Sequence, residues 1–309
     1  MTIKEKKLVS AVIYLHNEED RIAGFLQKII GILDQNFQSF EIIVVNDCST
    51  DNSIKNIKAL KDLASSHISL VNMSLHQGLE VSMTAGIDLS MGDFVYEFDD
   101  LAIDYQESMI LDVYYRIVEG FDIVSVAPVT HNALSSKLFY SLFNRYSKSK
   151  YKLRSERFRI LSRRAINRAY SISKSIPYRK ALYANSGLKM DVLEYKTIPR
   201  SYPRSNKEKG IFRNKMALNS LIIYTNLAFR ISIGITIVLF CLTMFSGIYA
   251  CAIYFSERPI EGWTTTILLI SGSFSGLFFI LAIIIKYLSL IVELIYSKKT
   301  YLVESVDKI

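Results

Sequence analysis

Apolar positions in the first 130 residues follow two alternating rhythms. Short β-branched runs at residues 8–15, 41–45, 68–73, 94–98 and 121–126 read as buried strands. Between them, residues 18–33, 53–63, 79–89 and 106–118 carry helical spacing, with Ile22, Phe25, Ile29 and Leu33 on one face of the first. This βαβα order predicts an α/β fold, a mostly parallel sheet with helices on both faces. Residues 137–151 repeat the helical spacing, with Leu138, Phe139, Leu142, Phe143 and Tyr146 forming an apolar stripe suited to a membrane surface.

The pattern changes towards the far end. Residues 231–255 and 263–285 contain no charged side chain, and each is long enough to cross a hydrocarbon core of roughly 30 Å as a helix. A short polar loop joins them, which predicts a two-helix transmembrane hairpin. Arg213, Lys215 and Arg230 precede it and Lys286, Lys298 and Lys299 follow it, so the positive-inside rule puts both termini in the cytoplasm. Small residues between Gly272 and Gly276 leave room for close packing in a homo-oligomer. The alternative for the two runs is a buried helical hairpin of a soluble protein.

Charge sharpens this division. Residues 137–215 hold 22 Lys and Arg against four acids, a local balance of +18 in a chain whose net charge is +8. Because the block leads into the apolar spans, anionic headgroups or a phosphorylated lipid fit it better than nucleic acid. Cys48, Cys241 and Cys251 show no paired spacing, which argues against a disulfide framework or a zinc site. Lys4, Lys6 and Lys7 precede only a strand-length apolar run, so no signal peptide is expected. His16, His67, His76 and His131 are scattered without metal-ligand spacing.

Candidate chemistry lies at the strand ends. The strands run out into His16-Asn17-Glu18-Glu19, Asn46-Asp47, His76-Gln77-Gly78 and Glu97-Phe98-Asp99-Asp100. Open α/β sheets bind ligands at that edge. Acids converging there repel one another unless a cation joins them, and Mg2+ or Mn2+ suits carboxylate and phosphate oxygens. Neither GxGxxG after the first strand nor a P-loop is present, which disfavours a dinucleotide site. Asp47 can accept hydrogen bonds from a base or ribose; the alternative is an ordinary strand-to-helix turn.

These residues, taken in order, resemble a known family. Tyr14-Leu15-His16-Asn17-Glu18-Glu19 is similar to "PVYNEE", and residues 44–51 to "VVDDGSTD", with Asn46 and Cys48 at the departures. Gly78, Ala85-Gly86 and Gly92-Asp93 echo "NxGxxxAxxAGxxxAxGD", and residues 156–164 resemble "FRLLDR". The chain thus looks like a family 2 glycosyltransferase of the GT-A (Rossmann-like) fold. With its paired spans it resembles the polyprenyl-phosphate glycosyltransferases, the group of dolichyl-phosphate mannose synthase and bacterial undecaprenyl-phosphate glucosyltransferases.

The resemblance implies a nucleotide diphospho-sugar, UDP favoured and glucose first, as donor, and undecaprenyl phosphate as acceptor. Transfer would be inverting, at the cytoplasmic face of a bacterial inner membrane. It implies nucleotide-sugar contacts from Asn17, Glu18, Asp47, Gly78 and Asp99, with Asp99 and Asp100 catalytic. Arg159 and Arg163, read as one helical turn apart, and Arg204 are expected on the acceptor phosphate. Counting on from Gly92-Asp93 puts Leu101 where the family has its second metal-binding Asp. Leucine cannot ligate, so the metal falls to Asp99, Asp100 or Glu97. The implied organisation is a GT-A domain over residues 1–210, with a basic segment 137–210, and an interfacial helix over 211–230. Transmembrane helices follow within 231–292 and a cytoplasmic tail over 293–309. Two other readings remain: a non-catalytic lipid-binding or scaffold relative, and a glycosyltransferase with a different acceptor.

Overall fold

The computed structural model describes residues 4–60, 68–129, 134–146, 151–172, 178–198, 263–296 and 301–309, with scattered positions between 230 and 245. The expected alternation forms the centre of the fold. Strands β1 (Val9–Leu15), β2 (Phe40–Asn46), β3 (Ile68–Met73), β4 (Phe94–Phe98) and β5 (Ile123–Pro128) alternate with four helices. These are α1 (Glu19–Asn36), α2 (Ser53–Lys58), α3 (Leu79–Leu89) and α4 (Met109–Val118). Beyond them come α5 (Leu134–Tyr146), β6 (Phe158–Ser162), α6 (Arg163–Ile172), α7 (Arg179–Asn185), β7 (Met190–Tyr195), α8 (Trp263–Tyr296) and β8 (Val303–Lys308).

The eight strands form one sheet in the order β7-β5-β6-β4-β1-β2-β3-β8. Pairings β1/β2, β1/β4, β2/β3 and β5/β7 are parallel, whereas β4/β6, β5/β6 and β3/β8 are antiparallel. Every residue of β1 is buried because helices cover both faces of the sheet. One core gathers Ala11, Ile13 and Val44 with Phe25 and Ile29 of α1 and Val113 of α4. The other gathers Val12, Ile43 and Val45 with Met83 of α3 and Ile166 of α6. Alternation along each strand thus supplies two cores. Gly86 lets α3 lie against the strands: a Cβ there would stand 2.5 Å from Val12 Cγ1 and 2.6 Å from Val45 Cγ2.

Strand order reverses between β1 and β4, the crevice where open α/β sheets hold ligands. Three expectations need correction. Residues 158–162 form a strand, so Arg159 and Arg163 are not a helical pair; Phe158 and Ile160 pack into the core with a period of two. The apolar stripe of α5 is not wholly an outward face: Phe143 is fully buried and, with Phe139, packs against Leu153, Ala181 and Ala184. Residues 303–308 are not a free tail, because β8 pairs antiparallel with β3, Ser69 opposite Lys308.

The expected hairpin is only partly within view. Its first limb lies mostly outside the described residues, as do Arg204 and residues 211–229. The second limb coincides with α8, a 34-residue helix, in which some side chains are not described. Among the described residues, no helix is long and apolar enough to cross a membrane. Gly276 of α8 faces Leu239 of the same chain so closely that any Cβ would collide with it.

Candidate active site

Two loops at the carboxyl edge are laced together. Asn17 Oδ1 accepts from Thr50 N at 2.8 Å, and Asn17 N donates to Ser49 Oγ at 3.1 Å. Glu18 N donates to Ser53 Oγ at 3.0 Å. Asn17 and Cys48 both adopt left-handed backbone, with φ of 52° and 57°. At Cys48, where the resembled motif has glycine, a side chain occupies the conformation glycine favours.

Asp47 is the hub of this edge. It is fully buried, and its Oδ1 accepts from Gln77 N at 2.7 Å. Its Oδ2 accepts from Gly78 N at 2.8 Å and Tyr14 Oη at 2.9 Å, with His76 Nδ1 also 2.9 Å away. Burial, and then the Asp47 charge, push the Tyr14 hydroxyl far above its usual range, so it stays a neutral donor. Both Asp47 oxygens are thus occupied by the chain's own groups. Gly78, at φ 87°, supplies one of them and opens α3.

The end of β4 carries a buried ionic network. Arg159, from β6, donates Nη1 to Glu97, Nη2 to Asp99 Oδ2 at 2.8 Å and Nε to Glu156 at 3.0 Å. Arg179, the first residue of α7, donates Nε to Glu80 Oε2 at 2.7 Å and Nη2 to Asp99 Oδ1 at 2.7 Å. Its Nη1 stands 3.0 Å from Glu97 Oε2. Tyr183 donates its hydroxyl to Glu97 Oε1 at 2.7 Å. Burial alone would raise the Asp99 carboxyl, but Arg159, Arg179 and then Lys180 outweigh it and hold it well below the carboxylate range. The same carboxylates outweigh burial at both arginines, which stay charged.

A second chain of charges runs along the mouth. Arg21 pairs with Glu18 and approaches Asp100 Oδ1 at 3.7 Å. Arg157 reaches Asp100 Oδ2 at 3.5 Å and clasps Asp104 at 2.5 and 2.9 Å. Asp100 is the most open acid here, with 40 % of its side chain exposed.

The residues expected in the site therefore divide. Asn17, Glu18, Asp47, Gly78, Asp99 and Asp100 gather at one edge, joined by Arg159. Arg163 does not join them: it donates to the Gly92 carbonyl at 2.6 and 3.0 Å, beyond the opposite end of β4. Arg159 is buried against three carboxylates, which leaves its fork no free face for a lipid phosphate. For a divalent cation, Glu97 does not fit, being fully buried with both oxygens taken. Asp99 does not fit either, one arginine holding each oxygen. Leu101 is buried in the apolar core. Asp100 alone fits, and no group of three or more potential ligands occurs among the described residues. Sequence reasoning missed Arg21, Arg179, Glu80 and Tyr183. Of these only Arg21 left a signal, three residues after Glu18 on a helix.

Known proteins resemble this chain in sequence and in fold. A family model described as "Glycosyl transferase family 2" matches residues 10–185. An uncharacterized glycosyltransferase of Synechocystis is 28% identical over 200 residues, 62% of each chain. YkcC, an uncharacterized glycosyltransferase of Bacillus subtilis, is 22% identical over 307 residues, 96% of this chain and 93% of its own. The undecaprenyl-phosphate 4-deoxy-4-formamido-L-arabinose transferase of Proteus mirabilis is 30% identical over 124 residues, 40% of this chain and 37% of its own. The chain thus spans about three-fifths of the first of these relatives and under two-fifths of the third. Among solved structures, the Pyrobaculum calidifontis mannosyltransferase PcManGT, in complex with GDP-Man and Mn2+, superposes with a TM-score of 0.52 at 14% identity. That match covers 73% of this chain and 65% of its own. Glucosyl-3-phosphoglycerate synthase from Mycobacterium tuberculosis gives 0.50 at 14% identity, over 71% and 80%. At such identities the likeness speaks for a GT-A-like fold and nothing more.

Proposed function

The chain belongs to glycosyl transferase family 2, and from that premise we propose that it transfers one sugar from a nucleotide diphospho-sugar to undecaprenyl phosphate at the cytoplasmic face of a bacterial membrane. The observation that carries this reading is the meeting of Asp99 and Asp100 with Arg157, Arg159 and Arg179 at the switch point between β1 and β4. The donor lies across that edge. Asp47 acts through the Gln77 and Gly78 amides it holds, and Asp99 ties the buried Arg159 and Arg179 together behind that edge. UDP-glucose is the first donor to test. The acceptor is inferred from the name of the Proteus mirabilis relative.

Chemically, the acceptor phosphate is ionised at neutral pH, so no strong base is needed. Asp99, held ionised by its arginines, is suited to orientation rather than to proton uptake. Attack from the face opposite the diphosphate inverts the anomeric carbon. Arg157 and Lys180, both half-buried beside Asp99 and Asp100, are the cations we assign to incoming phosphate, in place of Arg159 and Arg163. A divalent cation, if used, would be held by Asp100 and the donor's own diphosphate, and would neutralise the leaving group. Mn2+ should therefore bind the free protein weakly and about tenfold or more tightly once UDP is present, read by electron paramagnetic resonance. Tight binding without nucleotide would contradict a single-carboxylate site.

Several features support a membrane location. Residues 231–255 and 263–285 are free of charge, and α8 exposes Phe274, Phe278 and Ile285. Because β8 returns to the sheet that β3 edges, any membrane crossings between the catalytic domain and residue 303 are even in number. Two crossings satisfy that rule, with residues 1–210 and 303–309 on one side.

The test is transfer of radiolabelled sugar by the purified chain to undecaprenyl phosphate in detergent. We expect a lipid-linked monosaccharide of inverted configuration, UDP-glucose being the first of a panel of UDP- and GDP-sugars. No product from any of them, with folded protein, would favour the second reading. That reading is a diverged relative without catalysis, and the burial of Leu101 together with the full occupation of Asp99 points that way. Transfer to another acceptor alone would keep the enzyme and change its substrate.

A further inference from the structure

The loop at residues 74–78 is held from both sides. On one side its Gln77 and Gly78 amides grip Asp47. On the other, the Gln77 side chain reads the Leu302 peptide as a strand partner would. Gln77 Nε2 donates to Leu302 O at 2.8 Å, and Leu302 N donates to Gln77 Oε1 at 2.9 Å. Ser74 N and Oγ both donate to the same carbonyl, at 3.0 and 3.1 Å.

A second polar line runs in parallel across three strands. Asn72 Nδ2 on β3 donates to Ser305 Oγ at 2.9 Å and Asp307 Oδ2 at 3.1 Å on β8. Asn72 Oδ1 accepts from Asn46 Nδ2 at 3.0 Å, and Asn46 Oδ1 accepts from Ser49 N at 3.0 Å. Both lines start on the segment just after α8 and end in the loops flanking Asp47. Such side-chain amides are two-sided connectors, since one end cannot move without breaking a bond at the other.

We propose that residues 301–308 are a working part of the donor site, with Gln77 as the positioning residue that transmits the seating of α8 to the Asp47 loops. The inference rests on the donor reading above for what it regulates, but not for the coupling itself. When the strand is docked, the Gln77 and Gly78 amides are fixed and the nucleotide meets a preorganised edge. When α8 shifts, the loop loosens and donor affinity falls. Two sites, one in the sheet and one beside the apolar helix, thereby share a coupling free energy, and the effect is reciprocal.

Two variants of the full chain test this. Gln77→Ala removes both side-chain bonds. Leu302→Pro removes the N–H that Gln77 Oε1 accepts and fixes φ at a residue whose side chain is largely exposed, while Gln77 itself stays intact. Without ligand, hydrogen exchange in residues 48–53 should quicken in both variants. Unchanged exchange there would overturn the coupling, whatever the protein's activity. With UDP or GDP as probe, calorimetry should give about fivefold or more weaker binding in both variants, with donor KM raised and kcat retained. In the unmodified chain, exchange at residues 302–308 should slow when nucleotide binds. Nucleotide binding that leaves this strand unprotected would also overturn the proposal. If neither nucleotide binds the unmodified chain, the donor reading fails, and the ligand-free arm alone decides the coupling.

Discussion

Arg179→Ala is expected to destabilise the fold by about 3–5 kcal/mol, the cost of leaving buried carboxylates without their partner. The residue is fully buried and meets Glu80, Glu97 and Asp99. The loss is unevenly shared. Glu97 would keep Arg159 and Tyr183, and Asp99 would keep Arg159. Glu80 would retain from this network only the amide of residue 179. Adding Glu80→Gln should therefore recover about 1–2 kcal/mol, because a neutral amide is cheaper to leave buried. Urea unfolding of the single and double variants measures both values. A single variant as stable as the parent would mean that water reaches the network and screens it.

Acid unfolding gives a second reading of the same cluster. The folded Asp99 carboxyl is depressed, so the unfolded chain binds the extra proton. Its contribution is fully present above about pH 4 and is lost as pH falls towards the folded value. Stability from this group should then be flat between pH 5 and 8. In Arg179→Ala one of the charges that depress Asp99 is gone, and acid unfolding should begin at higher pH.

Asp100→Ala should have the opposite profile, with turnover down about 10²- to 10³-fold and the melting temperature within about 2 °C of the parent. Asp100 is partly exposed and touches Arg21 and Arg157 only at 3.7 and 3.5 Å, so solvent screens those pairs. Yet it is the one acid of the β4 end with capacity left for a ligand. The comparison of kcat/KM with thermal unfolding separates the roles. Full turnover in Asp100→Ala would remove this residue from the site and move attention to the arginines alone. Asp100→Asn, which keeps one acceptor oxygen, should lie between the two.

What could be read beforehand follows from where each signal is stored. Strands β1 to β5 carry theirs locally, in β-branched runs ended by polar residues, and β3 and β4 and helix α3 appear at the expected boundaries. The gathering of Glu18, Asp47 and Asp99 also followed, because parallel order puts successive strand ends on one edge. The arginines did not follow. Arg159 and Arg179 belong to a strongly basic stretch in which nothing local marks them out, and burial of a guanidinium depends on acids 60 to 99 positions away. Residues 158–162 are short enough to satisfy either period, and only pairing with β4 and β5 makes them a strand. Strand β8 was hidden by its charges: Glu304, Asp307 and Lys308 look like a solvated tail, but an edge strand needs only one face and one ladder, and charge guards its free side.

That late strand also sets an order of assembly. Ser69 finds its partner in Lys308, so the edge of β3 stays open while more than two hundred further residues are synthesised. During that interval β3 offers an unpaired ladder to any extended chain nearby. The parallel core can condense early, but the sheet is sealed only after α8 has emerged from the ribosome. Fusion partners appended after residue 309 would act on this closing step, and their linkers should be long and polar enough to leave it unhindered.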